Sequence, residues 1–176
     1  MAPALAKPLI FVAMVVLMVI GARLDVPMHP VPMTLQSLAI LLAGLWLGPA
    51  WGSMAVIAYL ALGLIGLPVL ADGAHGLSPF IGATAGYLYG FILIAALAGL
   101  LAGQQKARHP LVGIAGLFGL HLVLLTMGSV WLSTRMGLGP ALEAGFIPFL
   151  IGALAKSILG WAIWRSVAWA NDLRRA

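Results

Sequence analysis

Apolar runs dominate the chain, and proline, glycine or charge interrupts them at intervals too short for large soluble loops. The first run, residues 8–24, ends at Asp25 and the proline-rich stretch VPMHPVP. The second, residues 34–47, stops at Gly48-Pro49, and the third, residues 50–67, stops at Pro68. A glycine-rich segment, VLADGAHGLSP, leads to the fourth run, residues 80–102. After the polar loop GQQKARHP come the fifth run, residues 111–136, and, past GLGP, the sixth, residues 141–170. A membrane helix needs about 20 apolar residues, so the pattern predicts six transmembrane helices. The second run, at 14 residues, reaches only about 21 Å. It is expected to tilt, or to stop below the membrane surface under the proline loop.

Composition sharpens that reading. Hydrophobic residues make up 63% of the 176 and charged ones 7%, against roughly 25% charged in a soluble domain. That excludes a soluble enzyme, a nucleic-acid-binding domain and a disordered chain, and predicts one integral-membrane domain over residues 1–176. With no cysteine, disulfides, thiolate catalysis and Cys-ligated zinc are also excluded. Lys7 before an apolar run resembles a secretory signal, but no small-x-small cleavage site closes it, so a retained first span is expected.

The net charge of +5 matters through its placement. With six spans, Lys7, Lys106, Arg108, Arg165, Arg174 and Arg175 share one side, and Arg23 and Arg135 lie on the other with Asp25, Asp72 and Glu143. The positive-inside rule then predicts both termini in the cytoplasm. On the outer side, prolines fix the backbone of residues 25–33, while Gly73 and Gly76 free that of residues 68–79. The two loops suit a lid over a small ligand, or serve as ordinary connectors.

Few groups within the spans carry chemistry. Lys156 stands between IGALA and SILGW, where a charge costs about 2.5–3.5 kcal/mol and calls for a partner or a polar cavity. Counted from residue 141, it lies about 22 Å along the sixth span, or nearer the outside if the chain breaks at Pro148. It can act as a ligand's cation or donor, or snorkel to the interface. His121 in the fifth span can be satisfied by one interhelical hydrogen bond. Thr34 and Gln36 either cap the second span or face a site. Tyr87 and Tyr89, two residues apart, point to different sides, so one is expected to line a cavity and the other to pack. Asp25, His29, Asp72 and His75 offer oxygen and imidazole to nickel or cobalt, but their loop spacings equally suit solvation. GALAKS at 152–157 lacks the glycines of a phosphate loop, and no catalytic motif is present, so no enzyme is expected.

PVPMTLQSLAILLAGLWLGPAWG, YLALGLIGLPVLADG and GATAGYLYGF together resemble the BioY family, the biotin-binding S-components of energy-coupling factor (ECF) transporters. The likeness runs from about Gly21 to Lys156. It rests on Pro30, Val31, Pro32, Thr34, Leu35 and Gln36, on Leu47-Gly48-Pro49, and on Gly63, Leu64, Gly66, Leu67 and Pro68. Gly82, Thr84, Gly86, Tyr87 and Gly90 extend it, within GATAGY where the family has GPTGGY. The family's P-G-D-x-x-K, both of whose charged members the resemblance implies contact biotin, reads IGALAK here. Gly152 and Lys156 are kept, but Ala153 replaces the aspartate, which should cost affinity, alter selectivity or be offset by Gln36 or Asp72. The resemblance implies a six-helix, all-α ECF S-component in the bacterial cytoplasmic membrane. It would bind biotin through Lys156, Gln36, Thr34, Tyr87, Thr84, Asp72, Gly73 and Gly152. No cofactor is expected in the chain itself. The implied partners are the lipid bilayer, an EcfT-type transmembrane subunit and two ABC ATPases that use ATP. Another vitamin, or nickel or cobalt, is the alternative cargo; the start MAPALA lacks the Met-His opening of metal-type S-components.

Overall fold

A computed structural model describes residues 3–26 and 29–173. Helix α1 (Pro3–Arg23) leads into a two-rung antiparallel ribbon of β1 (Asp25–Val26) and β2 (Met33–Thr34), which closes the proline loop. Next come α2 (Gln36–Leu64), a 3-10 turn at Ala71–Gly73, α3 (Ser78–Ile81) and α4 (Ala85–Ala102). A second 3-10 turn at Gln105–Arg108 precedes α5 (Pro110–Met136), α6 (Leu138–Gly145) and α7 (Phe149–Leu173). Among the described residues, four helices are long and apolar enough to cross a membrane: α2, α4, α5 and the Phe149–Val167 part of α7. In hydrocarbon only structures that satisfy their own backbone survive, so long helices are the expected outcome for so apolar a chain.

Helix α2 is not straight. Gly48 takes φ 81° and ψ 177°, outside the helical region, and Pro49 follows it. The arms on either side fold back on each other. A Cβ placed on Gly52 would lie 2.8 Å from the Cα of Gly44, although eight residues of straight helix would separate them by about 12 Å. The break expected at Gly48-Pro49 is therefore a hairpin corner joining the second and third predicted spans. Helix α4 packs against this hairpin: Cβ atoms on Gly44 and Gly99 would collide with the Ala95 carbonyl and with Pro49. Small residues are what let helix backbones come this close where lipid offers no hydrophobic drive. Gly44→Val is accordingly expected to destabilise the protein by about 1–3 kcal/mol through overpacking. Thermal unfolding in detergent should show it, with Gly119→Val as control, since a Cβ at Gly119 meets nothing within 4 Å.

Helix α2 also packs on α1, α5 packs on α4 and α7, and α7 closes back on α2. Of the small residues in α1, Gly21 and Ala22 are buried, with Gly21 against the backbone of Gln36, while Ala13 is exposed beside Val12 and Val16.

Two predicted boundaries need correction. The fourth run divides at residues 82–84, so α3 is a separate short turn before α4. The sixth run is not one helix either. The chain turns at residues 146–148, where Phe146 leaves helical geometry (φ −122°), and Pro148 has no N–H to continue the ladder. Lys156 is thus the eighth residue of α7, about 10 Å from its start rather than 22 Å.

A candidate ligand cavity at one end of the bundle

The loops and helix starts at one end of the bundle enclose a cavity of about 200 Å³. Pro30, Val31 and Pro32 of the ribbon loop line it, as do Ala71, Asp72 and Ala74 of the 3-10 turn. Its walls are mainly apolar: Leu70, Leu88, Phe91, Leu124, Leu125 and Phe149. The loops are tied down from the helix ends. Arg23 donates to the Pro68 carbonyl, Arg135 to that of Ile81, and Trp131 Nε1 to that of Gly82 at 2.8 Å. Asp72 sits at φ 55°, the left-handed region that aspartate enters more readily than most residues. The proline-rich loop and the glycine-rich loop therefore both border the cavity.

Polar groups converge from four helices. Lys156 Nζ donates to Ser37 Oγ at 2.8 Å and to the Thr34 carbonyl at 3.2 Å. Gln36 Nε2 donates to the Tyr59 hydroxyl at 2.9 Å, which in turn donates to the Val69 carbonyl at 3.0 Å. Tyr87 donates to the Gly145 carbonyl at 2.6 Å, fixing α4 to the end of α6. His121, 1% exposed, lies within hydrogen-bond distance of Ser37, Ser157 and the Leu117 carbonyl. The site is a small, mostly apolar chamber with a few fixed donors and acceptors, the usual form of a pocket for one small molecule.

The BioY family model matches residues 3–172. A probable biotin transporter of Pyrococcus horikoshii is 37% identical over 153 residues, covering 86% of this chain and 90% of the relative. The biotin transporter of Thermotoga maritima is 37% identical over 158 residues, covering 88% and 89%. The crystal structure of a biotin S-component from an ECF-type ABC transporter superposes with a TM-score of 0.85 at 30% identity, over 96% of this chain and 94% of that one. The chain belongs to the BioY family. It is a membrane protein with the S-component fold of that structure.

Of the eight candidate residues, this BioY chain brings six to the cavity: Thr34, Gln36, Asp72, Thr84, Tyr87 and Lys156. Gly73 and Gly152 are not in its lining. A Cβ on Gly73 would sit 3.1 Å from Arg23 Nη1, and one on Gly152 2.8 Å from Met33 Sδ. They allow loop and helix to approach neighbours. Thr34 faces the cavity rather than capping α2, whose N-cap is Leu35; its Oγ1 accepts from the Gln36 N–H at 3.3 Å in the turn that enters the helix. Tyr87 lines the cavity, whereas Tyr89 is 44% exposed and packs edge-on to Trp131. No three His, Asp or Glu side chains converge among the described residues, so Asp25, His29, Asp72 and His75 do not assemble into a metal site there.

Sequence reasoning missed Ser37 and assigned His121 a single packing bond. Both line the cavity. Two buried polar residues in otherwise apolar spans were the available signal; nothing in their spacing pairs them. Ala153 lines it as well, 1% exposed.

Proposed function

We propose that this chain binds biotin and carries it into the cell as the substrate-specific S-component of an ECF-type transporter. The observation that carries the reading is the cavity: on a member of the BioY family, Lys156 stands in a small apolar chamber beneath two outer loops. Biotin pairs an apolar thiophane ring and chain with a neutral ureido group and a carboxylate, which such a chamber suits. The carboxylate is the most expensive part to desolvate, so it belongs at the loops. The ureido ring lies inward, its oxygen accepting from Lys156 and its N–H groups facing Gln36.

In this reading six segments cross the cytoplasmic membrane: α1, the two arms of α2, α4, α5 and α7. The termini and the Gln105–Arg108 turn face the cytoplasm, which places the cavity outside. An EcfT-type subunit and two ABC ATPases supply the energy from ATP, and the chain itself performs no chemistry.

The test is equilibrium binding of labelled biotin to the detergent-purified protein, with other vitamins and nickel as competitors. Saturable binding displaced only by biotin and its close analogues is expected. Absence of binding, or displacement by nickel or an unrelated vitamin, would sink the reading. A second reading, a BioY scaffold retuned to another vitamin, rests on Ala153, which lines the cavity where the family pattern places a carboxylate.

A further inference from the structure

Lys156 does not stand alone: a chain of hydrogen bonds runs from it through the core to α5 and back to α7. Lys156 Nζ donates to Ser37 Oγ at 2.8 Å, and Ser37 Oγ lies 3.3 Å from His121 Nε2. On the other side of the ring, His121 Nδ1 is 3.2 Å from the Leu117 carbonyl and 3.0 Å from Ser157 Oγ, whose own O–H goes to the Ala153 carbonyl at 2.7 Å. The direction of every bond follows. A carbonyl only accepts, so His121 Nδ1 must carry a proton. Ser157 spends its one proton on Ala153 and can only accept from that nitrogen. Ser37 Oγ receives from Lys156, and its own proton then points at Nε2, which accepts. Had Nε2 carried a proton as well, the Ser37 oxygen would have to accept from two cations at once. Ser37, His121 and Ser157 are each no more than 5% exposed.

We infer that His121 is a positioning residue for substrate binding. Its Nε2 turns the Ser37 hydroxyl so that the oxygen lone pair faces Lys156. The ammonium is thereby held against Ser37 and Thr34 with one N–H free toward the cavity. His121 also lines the cavity, but both ring nitrogens are engaged by protein and only its carbon edge is available to a ligand. This inference rests on the proposed biotin site.

Two substitutions separate the halves of the ring. His121→Gln can keep an acceptor near the Nε2 position, facing Ser37. His121→Asn keeps a donor near the Nδ1 position, facing Ser157 and Leu117, and loses the Ser37 link. Biotin affinity is expected to fall about tenfold in His121→Asn, the size of one lost hydrogen bond, and to stay within about twofold of wild type in His121→Gln. Ser37→Ala breaks the same link from the other end, and the Ser37→Ala/His121→Asn pair should lose no more than either alone. Equal losses in Gln and Asn, or additive losses in the pair, would reduce His121 to packing and overturn the inference. If His121→Asn does not fold, Ser37→Ala against His121→Gln makes the same comparison. A readout free of biotin is the ¹⁵N spectrum of the histidine-labelled protein. It should show His121 as the Nδ1–H tautomer, with the Nε2 resonance moving in Ser37→Ala, and an Nε2–H tautomer would overturn the inference. Wild-type protein that binds no biotin but shows the Nδ1–H tautomer would fail the biotin reading while leaving the orienting network standing.

Discussion

Lys156→Met is expected to remove most biotin binding without unfolding the protein. Among the described residues Lys156 is the one cation lining the cavity, and its Nζ already spends two donors on Ser37 Oγ and the Thr34 carbonyl. The third is what a neutral ureido oxygen would meet. A hydrogen bond from a charged donor is worth about 1.5–3 kcal/mol, so the dissociation constant should rise about 10–150-fold. Stability should move the other way or not at all. A charge inside a span is costly, about 2.5–3.5 kcal/mol, and removing it offsets the about 1–3 kcal/mol lost where its acceptors are left without a donor. The loss is at the Thr34 carbonyl and at Ser37 Oγ, which both give up the ammonium as donor, while Ser37 keeps its bond to His121 Nε2. Methionine serves better than alanine here because it fills the same space and opens no void. Titration of biotin beside a thermal unfolding curve checks both halves. Wild-type affinity in Lys156→Met would remove Lys156 from the site, whereas collapse of the protein would make it a structural residue.

The outline of the fold was legible because punctuation in an apolar chain has few meanings. Gly48-Pro49 could only be a tight break, and it is the corner of the α2 hairpin. The short second span is explained by the same hairpin. Its first arm starts at Gln36, directly after the proline ribbon, and ends at the Gly48-Pro49 corner. Where several continuations were compatible with the residues, the sequence reading did not decide. Residues 141–170 are apolar throughout, so the sequence left two depths open for Lys156, one counted through Pro148 and one with a break there; the break is what forms, and the uninterrupted count is two turns too deep. The turn at residues 146–148 brings it to the depth of Thr34 and Ser37, the first residues around the start of α2. The pairing of Lys156 with α2 spans 119 residues, and that of Ser37 with His121 spans 84. No periodicity encodes contacts of that range. Six of eight candidates reached the cavity because polar side chains at the loop end of apolar helices gather where they can be satisfied. The two that did not, Gly73 and Gly152, are glycines, whose value lies in what they let approach.

Restoring a carboxylate, by Ala153→Asp, is expected to tighten biotin binding by about tenfold. Ala153 lines the cavity and is 1% exposed, three residues before Lys156 on α7. Residues three apart share a helix face, so an aspartate there stands beside the ammonium and is paired from the outset. Gln36 Nε2 is already given to Tyr59, and the side-chain oxygen of Gln36 is the neutral acceptor left for a ureido N–H. A charged acceptor makes a hydrogen bond roughly twice as strong as a neutral one, and tenfold corresponds to about 1.4 kcal/mol. The sign depends on which end of biotin lies inward. With the ureido ring at Lys156, the new carboxylate accepts from ring N–H groups and affinity rises. With biotin's own carboxylate there, two anions compete for one cation and affinity falls. Weaker binding in Ala153→Asp would thus reverse the proposed orientation of the ligand. The methyl ester of biotin then decides independently, since removing its charge weakens binding to wild type strongly only if that carboxylate meets Lys156.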